Sequence, residues 1–154
     1  MSAIELTRCE RIMFERQLIK YIWAAPYTAI GLAFGAVTLL FGASVRVHGG
    51  VFEFGGGHVG RLASRLPAPL RFSAISFGHV VLGIDEAKLA AVRTHERVHV
   101  RQYERWGPLF IPAYLLSSLA QLVRRRHPYR DNYFEREAYA QASTADPSTT
   151  GSNA

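Results

Sequence analysis

The sequence predicts an α+β chain in which an N-terminal transmembrane helix precedes a small domain with a short antiparallel sheet and a long polar helix. Three observations predict it. The segment Tyr21–Val45 carries no charged residue. Two later segments, Val45–Phe54 and Phe72–Leu82, have the alternation or the β-branched and aromatic content of strands. Beyond them, Asp85 and Gly107-Pro108 bracket a stretch with helical spacing of apolar residues.

Residues 1–20 form a basic segment in which Arg8, Arg11, Arg16 and Lys20 interleave with Glu5, Glu10 and Glu15. The uncharged residues 21–45 that follow would make a helix of about 37 Å, against about 30 Å of bilayer hydrocarbon. Pro26 and the glycines weaken a helix in water but are tolerated in a spanning one. A cleaved signal peptide fits less well, because mixed charge fills the residues ahead of the apolar part. Basic residues are denser before the segment than just after it, which puts the N-terminus in the cytoplasm and the rest of a single-pass chain on the opposite side.

Val45–Phe54 pivots on Gly49-Gly50, the signature of a hairpin. Gly55–Gly57, Pro67 and Pro69 mark a loop region. Phe72–Leu82 reads as a strand containing His79 as a polar structural residue. Asp85 is the expected N-cap of a helix over Glu86–Trp106, with Glu86 in its first turn and Gly107-Pro108 as its stop. After a second apolar stretch, Gly107–Val123, and the turn HPYRDN, a short helix is expected over Tyr133–Ala142. Residues 143–154 are small and polar and are expected to be disordered.

Composition excludes several classes. Hydrophobic residues make up 49% of the 154 and charged residues 19%, which excludes a chain disordered throughout. The single cysteine, Cys9, excludes a disulfide framework and a cysteine-based zinc cluster. The net charge is +6, and Arg124, Arg125 and Arg126 directly follow an apolar stretch. That placement suits anionic lipid headgroups, and no nucleic-acid partner is expected.

His95-Glu96-Arg97-Val98-His99 matches the pattern HExxH. On a helix, residues four apart sit one turn above each other, so both imidazoles can reach one zinc ion. Glu96 can then serve as general base toward a water that the ion activates. Leu89, Val92, His99, Tyr103 and Trp106 share one helix face, so the histidines can also be read as hydrogen-bonded core residues. A core face carrying His, Glu and His would bury three polar side chains without an evident partner, and a metal removes that cost.

A third protein ligand leaves the fourth zinc position open. The candidate lies in Asn132-Tyr133-Phe134-Glu135-Arg136-Glu137-Ala138-Tyr139. Here the chain resembles the gluzincins, in which HExxH is followed on a second helix by a glutamate ligand. It is similar to membrane zinc endopeptidases of the CAAX-prenyl-protease and heat-shock-protease type. The resemblance covers residues 95–139 and implies a zincin-like metallopeptidase domain over 46–142. By it, Zn2+ is the cofactor, His95, His99 and Glu135 are its ligands, and a peptide or protein is the substrate. Tyr139 stands where those families carry an aspartate. Glu137 is the alternative ligand, and Glu135 also fits a capping box with Asn132. Tyr103, Tyr133, Tyr139, His79 and His127 are the candidates for stabilising an oxyanion. Resemblance to zincins further implies that the strand near Phe72–Leu82 receives an extended substrate at its edge.

If Gly107–Val123 crossed the bilayer, the two histidines and Glu135 would lie on opposite sides. Seventeen residues make only about 25 Å of helix, and Pro112 interrupts them. The stretch is therefore expected to be buried or to dip into the membrane. The alternative to an enzyme is a non-catalytic membrane protein with a structural metal site or none.

Overall fold

The computed structural model describes residues 3–67 and 72–145. Helix α1 (Ala3–Leu40) runs unbroken through Pro26, so the basic segment and the apolar segment form one helix. The last residues of the expected span turn out into β1 (Ser44–His48), which pairs antiparallel with β2 (Val51–Gly55). Gly49 and Gly50 hold φ of 55° and 79°, the left-handed pair that a tight two-residue hairpin requires. The hairpin is as the sequence predicts.

The next elements differ from expectation. Residues expected to be loop form helix α2 (Gly57–Ser64). Its Gly60 sits so close to the Ile84 carbonyl that a Cβ there would lie 2.0 Å from the oxygen. The segment expected as one strand folds at Gly78-His79 into β3 (Ala74–Phe77) and β4 (Val80–Gly83), paired antiparallel. β4 also pairs parallel with β2, so the sheet is mixed rather than antiparallel, in the order β1-β2-β4-β3. The chain passes through α2 and β3 between those two parallel neighbours, the detour a parallel pair needs.

Helix α3 (Glu86–Trp106) has the predicted bounds. Asp85 Oδ1 accepts the Lys88 amide at 2.7 Å, and Gly107 closes the helix at φ 54°. A 3₁₀ turn, Gly107–Leu109, leads into α4 (Phe110–Val123), and after a turn the chain ends its described part in α5 (Tyr133–Ala145). Of the tail expected to be disordered, residues 143–145 belong to α5 and 146–154 lie outside the described residues.

The sheet lies between α1 and α3. On the α3 side, Val51 and Val81 pack with Leu89 and Val100. On the other side, α1 comes close through its glycines: a Cβ at Gly31 would sit 2.7 Å from the Val80 Cβ, and one at Gly35 2.6 Å from the Phe54 ring. A second cluster, Ala24, Tyr103, Phe110 and Phe134, joins α1, α3, α4 and α5. The segment expected to stand alone in the bilayer thus carries the sheet on one stripe.

Among the described residues, two helical stretches are long and apolar enough to cross a membrane, Gln17–Leu40 and Glu86–Val123. Away from the sheet, α1 exposes Ile19, Ile22, Ile30 and Val37. α4 exposes Leu115, Leu116, Leu119, Leu122 and Val123.

Candidate metal centre

The buried face of α3 carries the chemistry. Its period of 3.6 residues sends Arg93 toward the sheet, Glu96 toward β3, and His95 and His99 toward α5. Arg93 grips the buried Glu53 carboxylate of β2 at 2.8 and 2.9 Å. Burial works to raise the Glu53 pKa, but the Arg93 guanidinium outweighs it and holds the group below its ordinary value.

α5 brings Glu135 to the histidines. Asn132, wholly buried, accepts the Phe134 amide with Oδ1 at 2.9 Å and fixes the start of that helix. Its own amide donates to the Tyr129 carbonyl, and the Glu135 carboxylate faces His95 and His99. Glu135 therefore does not form the capping box. Its Oε1 accepts the Tyr114 hydroxyl at 2.8 Å, while its Oε2 is buried without a hydrogen-bond partner.

The three side chains form a small triangle. His95 Nε2 and His99 Nε2 are 3.1 Å apart. His95 Nε2 is 3.4 Å from Glu135 Oε2, and His99 Nε2 is 3.5 Å from Glu135 Oε1. A tetrahedral ion with ligands at about 2.0–2.1 Å has ligand–ligand edges of about 3.3 Å. The His95–His99 edge is close to that length, whereas the two Glu135 contacts end on different oxygens; with one ligand atom from each residue the group lies within 4.8 Å, so His95, His99 and Glu135 could hold a metal ion. Burial opposes the Glu135 charge, yet His95, His99 and then Tyr114 hold its pKa well below the carboxylate range.

No family model, curated protein or solved structure matches the chain.

The remaining candidates separate cleanly. Glu96 is buried on the same helix as the two histidines, its Oε2 accepting the Ser76 hydroxyl at 2.7 Å. Glu137 points elsewhere, to the Gln102 amide at 2.9 Å. Tyr139 lies against His95, with ring centroids 4.5 Å apart. Tyr103 donates to the Ser76 carbonyl at 3.0 Å and packs in the core. Tyr133 packs on Phe134 at the surface, and His127 accepts the Tyr129 and Arg130 amides in the turn. His79 is buried between Thr28 and Glu104 and stacks on Tyr21. Of the five oxyanion candidates, Tyr139 is the one in ring contact with a cluster histidine.

Sequence reasoning does not single out Ser76, Gln102, Tyr114 or Tyr129. Burial and then the Glu135 charge push the Tyr129 pKa up. Tyr129 lies in the turn directly before the ligand helix, and that adjacency was its one available signal.

Proposed function

We propose that the chain is a membrane-associated zinc metallopeptidase whose ion is held by His95, His99 and Glu135. The observation that carries this reading is two imidazole nitrogens 3.1 Å apart facing one buried carboxylate, with one ligand atom from each residue within 4.8 Å and Glu135 Oε2 without a hydrogen-bond partner. Two nitrogens and one oxygen are a donor set that zinc accepts, with a fourth position for water. When bound, zinc lowers the pKa of a water and polarises a carbonyl.

Glu96 is the general base. It takes a proton as the water oxygen bonds to the scissile carbonyl carbon. It returns that proton to the nitrogen as the C–N bond breaks, so the amine leaves neutral. Ser76 holds the Glu96 carboxylate from β3. β3 ends the strand order, but its Ser76 carbonyl already accepts the buried Tyr103 hydroxyl.

Lipid is the second partner, met by the outward apolar stripes of α1 and α4 and by Arg124, Arg125 and Arg126. The sheet packed on Ala24–Gly35 favours α1 embedded together with its domain over a lone single-pass span.

Metal content and peptide hydrolysis of the detergent-purified chain test the reading together. The wild type is expected to carry about one zinc per chain, as a three-ligand site implies, and His95→Ala to lose it. Glu96→Gln is expected to keep zinc and lose hydrolysis. Hydrolysis retained in Glu96→Gln would remove Glu96 from the mechanism. Zinc without hydrolysis in the wild type would make the centre a structural clip between α3 and α5.

A further inference from the structure

The metal-centre reading leaves open what sets the His99 ring and what keeps two separate helices in register around one ion. Resting on that reading, we infer that Gln102 is the positioning residue for both: it fixes the metal-binding tautomer of His99 and ties the Glu135 helix to α3.

Gln102 lies one turn after His99 on α3 and is 3% exposed. Its amide nitrogen is 3.0 Å from the Phe134 carbonyl and 2.9 Å from a Glu137 carboxylate oxygen. Both of those groups accept and cannot donate. The two amide hydrogens are therefore committed to them. Flipping the amide would set its oxygen against two other oxygens, so chemistry fixes its orientation. The amide oxygen then faces His99 Nδ1, at 2.8 Å.

An amide oxygen only accepts, so Nδ1 must carry a hydrogen. In a neutral imidazole the lone pair is then on Nε2. That atom faces His95 Nε2 and Glu135, the two other corners of the triangle. Gln102 thus selects the tautomer whose free nitrogen points at the ion's position. An ion drawing electrons from Nε2 makes Nδ1–H a stronger donor, so the bond to Gln102 strengthens on metal binding.

The other end of Gln102 acts on α5. Phe134 immediately precedes Glu135, and Glu137 follows in the same turn. Bonds to both hold the first turn of α5, from which the Glu135 side chain reaches the histidines. Glu137, the alternative ligand in the sequence, belongs to this brace instead.

The test measures zinc affinity of the full chain in detergent by chelator competition, with the visible spectrum of the cobalt-substituted protein as a second readout. Gln102→Met keeps the length of the side chain and removes both donor and acceptor. It is expected to weaken zinc binding about 10- to 100-fold and to alter the cobalt spectrum, which loss of stability alone does not do. Gln102→Glu alone sets a carboxylate against Glu137 and is expected to weaken zinc as well. Combining Gln102→Glu with Glu137→Gln exchanges donor and acceptor: the new carboxylate accepts from His99, and the new amide donates to it. That pair still sets a carboxylate oxygen against the Phe134 carbonyl, so it is expected to regain part of the affinity that Gln102→Glu alone loses.

Wild-type affinity and an unchanged cobalt spectrum in Gln102→Met would overturn the inference and leave the metal centre intact. A folded exchange pair that stays as weak as Gln102→Glu would overturn it too, even where Gln102→Met fails to fold. Absence of zinc from the wild type would instead overturn the metal-centre reading, and the inference with it.

Discussion

Replacing Gly31 by valine separates two architectures that the apolar N-terminal helix allows. In the structure, a Cβ at Gly31 would lie 2.7 Å from the Val80 Cβ, 2.9 Å from the Phe77 Cβ and 3.1 Å from the Phe77 carbonyl oxygen. An ordinary contact begins at about 3.4 Å, so α1 or the sheet must give by about 0.7 Å before the two further methyl groups of valine are placed. None of the three obstacles is the far end of a flexible side chain. Val80 is wholly buried in the centre of the sheet and cannot swing aside. Overpacking of this kind costs about 1–3 kcal/mol, and the upper half of that range applies where rigid groups meet. The better helix propensity of valine over glycine returns only about 0.3 kcal/mol. The net loss of about 2 kcal/mol corresponds to a fall in melting temperature of about 4–8 °C for a chain of this size. Thermal unfolding in detergent, followed by circular dichroism, measures it. A lone membrane span would gain slightly or stay unchanged on the same substitution. An unchanged or raised melting temperature would therefore refute the docking of α1 on the sheet.

Two further outcomes are expected. Glu135→Ala should abolish zinc binding, whereas Glu137→Ala should leave a measurable site, since only Glu135 completes the triangle; equal loss in both, read by metal analysis, would contradict this. The Glu53–Arg93 pair sets a pH dependence whose sign follows from the lowered Glu53 pKa. A carboxylate with a depressed folded pKa stabilises the fold above its ordinary value of 4.5 and loses that contribution as pH falls through the folded value. Denaturant melts from pH 7 downward should show an acid-side loss that Glu53→Gln diminishes, and an unchanged pH slope in that variant would count against the pair.

The parts legible in the sequence are those written in local spacing. HERVH, the Asp85 cap, the Gly107 stop and the Gly49-Gly50 turn each place their signal within a few residues, and the structure puts α3 and the first hairpin where they predict. Glu135 was a candidate only through the gluzincin resemblance, while its spacing from Asn132 pointed to a capping box, an alternative dismissed only by seeing where the carboxylate points. The parallel pairing of β2 with β4 was not legible, since it joins strands whose sequences carry no mark of each other. α2 was hidden because its glycine-rich opening lowers helix propensity, and Gly60 is required there by the Ile84 backbone. Gly31 and Gly35 read as tolerated flaws in a spanning helix, whereas in the fold they are the points where α1 meets the sheet. Gln102 and Tyr114 find their partners 32 and 21 residues away, beyond any spacing rule.

α4 is where the proposed metal centre and the proposed lipid surface constrain each other. Its inner side holds α5 in place: Tyr114 donates to Glu135, Ser118 accepts from Asn132 at 2.7 Å, and Ser117 accepts the Tyr133 amide at 3.0 Å. A helix bound in this way to α5 keeps His95, His99 and Glu135 together, and it cannot also separate them across a bilayer. Fourteen residues give it only about 21 Å, too short to span as an independent helix. Its outer leucines and the arginines that follow therefore fit a helix lying at the surface, with the cations at the headgroups. Each arginine near an anionic surface contributes about 1 kcal/mol. Replacing Arg124, Arg125 and Arg126 by glutamine should lower the ratio of binding to anionic over neutral vesicles by roughly 100-fold at low salt. Taking that ratio cancels the apolar contribution of α1, which is the same on both vesicles. Zinc content should not change, because the substitutions lie beyond the residues that hold α5. A ratio unaffected by the loss of all three charges would place this end of α4 away from the headgroups and refute the surface orientation.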